Sequence, residues 1–162
     1  MRIPYAGVRI YMNTSALSRP FDDLHVPRVR LEAEVVTTLI AAVEGGEAEL
    51  ISSDYLAFEV RQYPDPDKAE RILVLLTLAR AVVKLSGGVA TRARELEQFG
   101  LRGLDALHIA SAEAGSADLL VTTDDRMLRR AHRAGTELTV RVVSPTEALA
   151  RVIARRTRDD EE

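Results

Sequence analysis

The chain has 162 residues, of which 46% are hydrophobic and 4% aromatic, with no cysteine and a formal net charge of −3. That is enough length and apolar content for one domain with a full core, and the lack of cysteine rules out disulfides and thiol catalysis and fits a reducing cytoplasm. Mild acidity argues against polyanion binding through overall charge, few aromatics argue against a base-stacking platform, and no apolar run approaches the roughly 20 residues that span a bilayer.

In chain order, residues 8–12 alternate in polarity and predict a first strand whose exit carries Asn13, Thr14 and Ser15. Residues 18–23 read as a loop with adjacent acids Asp22 and Asp23. Pro27 suits the first turn of a helix over 28–43, stopped by Gly45 and Gly46, with Leu31, Val35, Leu39 and Val43 as its inward stripe. A second strand over 48–51 leads to Ser52 or Ser53, either a good N-cap for the helix carrying Leu56, Phe58, Glu59 and Val60. Pro64 and Pro66 stop that helix, and a further one over 67–81 precedes a third strand over 82–85. Helices over 89–99 and 103–114 end at Gly100 and Gly115. The fourth strand is 119–121, a basic helix covers 125–134, the fifth strand is 139–143, and a helix over 145–154 completes a single domain of residues 1–154. Residues 155–162 are charged and apolar-free, and are expected to form a disordered tail. No charged-then-apolar leader opens the chain, which is expected to be cytoplasmic. Strands alternating with helices predict an α/β fold, a parallel sheet covered on both faces.

Four polar positions fall where such a sheet places its sites: Asn13 after the first strand, Glu59 on a helix, Asp105 at a helix start and Asp124 after the fourth strand. Carboxylates and amides gathered there suit a hard cation such as Mg²⁺ or Mn²⁺. Each also has a simpler reading. Asp105 and Asp124 can be helix N-caps, Glu59 a solvated flank, and His108 a packed or hydrogen-bonded helix residue. Arg126, Arg129, Arg130, His132 and Arg133 give one helix a basic face, either solvated or placed for phosphate contact, with Arg19 and Arg102 as further candidates.

The ordered set Arg9-Ile10-Tyr11-Met12-Asn13-Thr14-Ser15-Ala16-Leu17, Glu59, Asp105-Ala106-Leu107-His108-Ile109-Ala110-Ser111-Ala112 and Leu120-Val121-Thr122-Thr123-Asp124 resembles the PIN domain family. That family includes VapC-like toxins of bacterial toxin–antitoxin pairs and many metal-dependent ribonucleases. The resemblance implies a three-layer Rossmann-like PIN fold, its five-stranded parallel sheet ordered 3-2-1-4-5. It implies a metal-dependent endoribonuclease in which Asn13, Glu59, Asp105 and Asp124 hold Mg²⁺ or Mn²⁺. Thr14, Ser15 and Thr122 match the family's supporting hydroxyls, while Arg19, Arg126, Arg129 and Arg130 are the candidate phosphate contacts. An RNA substrate, a small antitoxin partner and a homodimer are implied in the same way. The family's pattern has an aspartate where this chain has Asn13, so one negative charge is missing from the set. The alternative is a catalytically degenerate PIN-fold module that binds RNA or protein. Asp22, Asp23 or Asp125 would compensate for the missing charge if their loops folded over the pocket.

Overall fold

Strand β1 (Val8–Met12) lies at the centre of one sheet, between β2 (Ala48–Ser53) and β4 (Leu119–Val121). Strands β3 (Ala81–Val83) and β5 (Arg141–Val143) form the edges, and every neighbouring pair is parallel, giving the expected order β3-β2-β1-β4-β5. Ile10 sits opposite Leu50 and Leu119, and Tyr11 opposite Ile51 and Leu120, so the central strands are buried on both faces. This computed structural model describes residues 7–162. The first six residues of the expected domain, and the expectation that no leader opens the chain, lie outside the described residues.

Helices α2 (Pro27–Glu44) and α8 (Pro145–Glu161) pack on each other over one face of the sheet. On the other face α6 (Gly103–Ala114) crosses β2, β3 and β4, flanked by α5 (Gly87–Glu97) and α3 (Asp54–Arg61). Helix α4 (Pro66–Leu76) lies against α3, and α7 (Asp125–Ala134) beside β5. A single turn of helix, α1 (Thr14–Leu17), follows β1 directly. Strand order reverses between β1 and β4, which opens a crevice at the carboxyl ends of those two strands.

Several boundaries differ from the sequence expectation, each for a tertiary reason. On α2 the buried side chains are Ala33, Val36, Leu39 and Ala42, while Leu31 is 61% exposed. Small alanines let α2 approach its neighbours closely, and a periodicity weighted by side-chain size passes over them. The helix expected over 67–81 ends at Leu76, and the third strand starts at Ala81 because Ala81, Val82 and Val83 pair with Ile51, Ser52 and Ser53. Beyond Ser53 the second strand has ended, so Leu85 has nothing to pair with and is 57% exposed. The second strand itself runs two residues past 51, to Ser53, and the fifth begins at Arg141 rather than 139, after a single turn of 3₁₀ helix at Gly135–Glu137. The expected loop at 18–23 contains another such turn, Arg19–Phe21. The tail expected to be disordered continues α8 to Glu161. Pairs one turn apart, Arg155–Asp159 at 3.7 Å and Arg156–Asp160 at 3.9 Å, favour that extension, and Arg156 also reaches Glu47 at 3.4 Å.

Gly115 closes α6 against the sheet. A Cβ there would stand 2.6 Å from Ile51 Cγ2 and 2.9 Å from Val83 Cγ2, although its φ of −82° suits any residue. Gly115→Ala is expected to destabilise the fold by ~1–3 kcal/mol through overpacking. Urea denaturation should show a lower midpoint at unchanged slope, and an unchanged midpoint would show that the sheet yields freely here.

Candidate active site

The exits of β1 and β4 meet in one hydrogen-bonded junction. Asn13 is the N-cap of α1, and its Oδ1 accepts from the Ala16 N–H at 3.3 Å and the Ser15 hydroxyl at 2.9 Å. Those donors orient the amide, so Nδ2 faces the other way and donates to Thr122 Oγ1 at 2.9 Å and to Met127 Sδ at 3.6 Å. Both lone pairs of the side-chain carbonyl oxygen, the only side-chain atom of Asn13 able to coordinate a cation, are thereby engaged. Thr123 fastens the same junction, donating its N–H to Ser15 Oγ at 3.2 Å and its hydroxyl to Ser15 O at 3.1 Å.

Glu59 stands on α3, which starts where Ser53 accepts the Leu56 N–H at 3.0 Å, so the second of the two expected caps is the one used. Its carboxylate takes hydrogen bonds from three side chains. Thr14 donates to Oε1, Tyr55 to Oε2 at 3.2 Å, and His108 Nε2 bisects the two oxygens at 3.2 Å from each. Burial alone would push the Glu59 carboxyl up, but His108, Thr14 and Tyr55 together hold it below the usual carboxylate range. An ionised carboxylate only accepts, so Nε2 carries the proton that faces it. Behind His108 the chain of contacts runs into the core, from Nδ1 to the Tyr11 hydroxyl at 2.9 Å and on to Ser53 Oγ at 2.8 Å. His108 is 3% exposed and Tyr11 and Ser53 are fully buried. Sequence reasoning expected His108 to be hydrogen-bonded but missed its partner, and missed Tyr11, Tyr55 and Ser53 as a group. The helical spacing of Tyr55 and Glu59, four residues apart, was the available signal.

Asp105 occupies the first turn of α6 without capping it, since the N-cap is Arg102. Its side chain is partly buried, with Arg130 Nη1 3.7 Å from Oδ2. Burial, the charge of Asp124 and that of Glu59 raise its carboxyl above the usual range, against the opposing pull of His108 and Arg130. Asp124 does cap: its Oδ1 accepts the N–H groups of Arg126 at 2.9 Å and Met127 at 3.2 Å to start α7. Oδ2 of Asp124 has no hydrogen bond among the described residues. A carboxylate whose proton affinity is raised by burial and by the charge of a neighbouring aspartate suits a hard divalent cation, and Mg²⁺ is commonly held by only one or two protein carboxylates with water completing its shell. Among the described residues no group of three or more acids, histidines or cysteines closes to metal-holding distance. The expected four-position set is thus divided: Asp105 and Asp124 interact as like charges, Glu59 is hydrogen-bonded back to the fold, and Asn13 is spent within the junction.

The remaining candidates separate by partner. Arg19 is paired with Asp22 at 3.1 Å and Glu32 at 3.3 Å, and Arg130 faces Asp105, while Arg126, Arg129 and Arg102 are exposed. None of the acids suggested as replacements for the missing charge is free. Asp22 also pairs with Lys68 at 2.7 Å, Asp23 with His25 at 3.0 Å, and Asp125 with Arg28 at 2.8 Å.

The depressed carboxyl of Glu59 has a consequence for stability. A folded-state value below the unfolded one stabilises the fold above the ordinary glutamate range, and that contribution is lost as pH falls through the folded value. In metal-free buffer the stability advantage of the native chain over Glu59→Gln should therefore shrink as pH is lowered from neutral to below that range. Chemical denaturation across pH measures it, and an advantage that grows on acidification would contradict the hydrogen-bonded assignment.

The PIN domain family model matches residues 10–133. No curated protein matches the chain in sequence. Among solved structures, VapBC2 from Rickettsia felis bound to a DNA fragment from their promoter aligns with a TM-score of 0.50 at 16% identity, over 83% of this chain and 98% of that one. PAE2754 from Pyrobaculum aerophilum aligns with a TM-score of 0.51 at 15% identity, over 91% of this chain and 90% of that one. At such identities the likeness is one of fold, and it agrees with the strand order 3-2-1-4-5 found here. The family match spans well over half the chain and contains all four positions Asn13, Glu59, Asp105 and Asp124, and the chain belongs to the PIN domain family.

Proposed function

We propose that this protein is an endoribonuclease of the PIN type, dependent on Mg²⁺ or Mn²⁺, and the toxin component of a toxin–antitoxin pair. PIN domains are generally nucleases that use divalent metal ions. The observation that carries the reading is the pair of carboxylates at the switch point, where burial and the charge of Asp124 lift the Asp105 carboxyl above its usual range. Asp105 and Asp124 would hold the cation, which when bound lowers the pKa of water and neutralises charge growing on a scissile phosphate. Glu59, kept ionised and fixed by its three donors, would contribute a negative charge that helps to hold the cation or orient a water. Arg130 beside Asp105 and the exposed Arg126 and Arg129 on α7 would meet the phosphate backbone of RNA. Arg19 would contribute there only by leaving Asp22 and Glu32.

The VapBC2 neighbour is a toxin–antitoxin complex on promoter DNA, which supports a small antitoxin partner for this chain, and a homodimer belongs to the same reading. No helix among the described residues is long and apolar enough to cross a membrane, consistent with a cytoplasmic site of action. One observation favours a second reading, a degenerate module that binds RNA or protein without cutting: the filled coordination of Asn13 Oδ1.

Purified protein should cleave RNA with added Mg²⁺ or Mn²⁺ and stop with chelator. Asp105→Asn should lower turnover by more than the ~10–100-fold that loss of a partner supporting a metal ligand costs. Mn²⁺ at a hundred times its dissociation constant should stabilise the native protein by about 2.7 kcal/mol, an effect absent in the variant. Equal cleavage by Asp105→Asn would refute the assignment, and saturable RNA binding without cleavage would establish the binding module instead.

A further inference from the structure

Four polar groups at the junction of β1 and β4 form a closed circuit. Asn13 Nδ2 donates to Thr122 Oγ1 at 2.9 Å, and Ser15 Oγ donates to Asn13 Oδ1 at 2.9 Å. The remaining side, Thr122 Oγ1 to Ser15 Oγ at 3.2 Å, has its direction set by elimination. Ser15 has already given its one proton to Asn13, so Thr122 is the donor and Ser15 the acceptor. Each oxygen is then saturated. Thr122 Oγ1 accepts from Asn13 Nδ2 and from the Asp124 N–H at 3.1 Å. Ser15 Oγ accepts from Thr122 and from the Thr123 N–H at 3.2 Å. Asn13 Oδ1 accepts from Ser15 and from the Ala16 N–H at 3.3 Å. The last Asn13 proton faces Met127 Sδ at 3.6 Å. No donor or acceptor of the circuit is left over.

From this closure we infer that Asn13 is not a weakened metal ligand but a positioning residue, whose amide closes a one-way hydrogen-bond ring that fixes Asp124 through its backbone N–H. The circuit needs a side chain that accepts on one side and donates on the other. Asparagine does both at this length, whereas an ionised aspartate only accepts. With aspartate in place, Thr122 and Ser15 would both turn their protons to residue 13, leaving two hydroxyl oxygens 3.2 Å apart with no proton between them. A second carboxylate oxygen would face Met127 Sδ, and a new charge would be buried at a position that is 6% exposed. The ring supports Asp124 twice: Thr122 Oγ1 holds its N–H, and Met127, whose sulfur receives the Asn13 amide, donates its own N–H to Asp124 Oδ1. Asn13 thus orients a carboxylate that it never touches.

The inference rests on the proposed cation site at Asp105 and Asp124, and two measurements separate the two claims. Exchange of the Asn13 side-chain amide protons, followed by NMR in metal-free protein, reads the ring alone. These protons should be slow to exchange in the native chain and in Thr122→Ser, which keeps the hydroxyl, and fast in Thr122→Val. Mn²⁺ titration by calorimetry reads the consequence. Thr122→Val should weaken Mn²⁺ binding by ~10–100-fold, Thr122→Ser should retain it, and Asn13→Asp should not tighten it despite the added charge. Tighter Mn²⁺ binding by Asn13→Asp, or fast amide exchange in the native protein, would overturn the inference. Should native protein bind no Mn²⁺, the proposed function fails and amide exchange alone decides whether the ring exists.

Discussion

The central constraint in this structure is the weld between the first and fourth strands where both leave the sheet. The Asn13 N–H still belongs to the ladder, bonding to Val121 O at 3.1 Å, and the Thr122 N–H reaches Val143 O at 3.0 Å. One residue further on, side chains replace backbone as the connecting groups. This is also where strand order reverses and the sheet would otherwise splay open. An open crevice lined by flexible side chains would lose most of its geometry to conformational entropy. Holding the two exits together with a saturated polar circuit lets α1 and α7 begin on either side of the crevice with their first residues fixed. Asp124 inherits its position from that circuit, and its charge acts on Asp105 in the first turn of α6.

The opposite wall of the crevice is built on a different principle. Glu59 has a long side chain with many rotamers, and on a helix surface it would sweep through solvent. Here three donors from three elements converge on its two oxygens, and one of them, His108, is anchored through Tyr11 to Ser53 deep in the core. Buried polar chains are destabilising when any member is unpaired, and this one has a partner at every step. The same Ser53 oxygen caps α3, so the helix start and the carboxylate further along the same helix both depend on one residue. An acid held ionised thus faces an acid pushed toward its protonated form, in one crevice and from neighbouring helices. Environments that drive two carboxylates apart in this way are characteristic of acid–base and metal chemistry.

Charge around the crevice is arranged more tightly than net charge indicates. The acids outside it, Asp22, Asp23 and Asp125, each have a cationic or imidazole partner, and Arg28 bridges the N-terminus of α2 to the first turn of α7. These pairs are partly or fully exposed and add little stability individually. Their effect is selective: they leave Asp105 and Asp124 as acids whose charges act on each other, while Arg126 and Arg129 stay exposed on the same rim.

Much of the fold was legible because it rests on local rules. Alternation marked the first strand and a short apolar run the fourth, glycines marked the ends of α2, α6 and α7, and serines and prolines marked the starts of α3 and α8. Order along the chain, with Asn13 and Asp124 after strands, Asp105 at a helix start and Glu59 on a helix between them, was enough to identify the family. What local rules could not supply were properties that depend on which elements become neighbours. Leu31 looked like an anchor of α2, yet Ala33 and Ala42 face the core because close approach to the sheet and α8 demands small residues. His108 was ambiguous until α3 brought Glu59 beside it, 49 positions away in sequence. By itself the sequence determined that Asn13 lacks the charge expected at that place. Only the tertiary structure decided what the amide does instead, because its partner Thr122 lies 109 residues further along the chain and meets it solely through the pairing of β1 with β4.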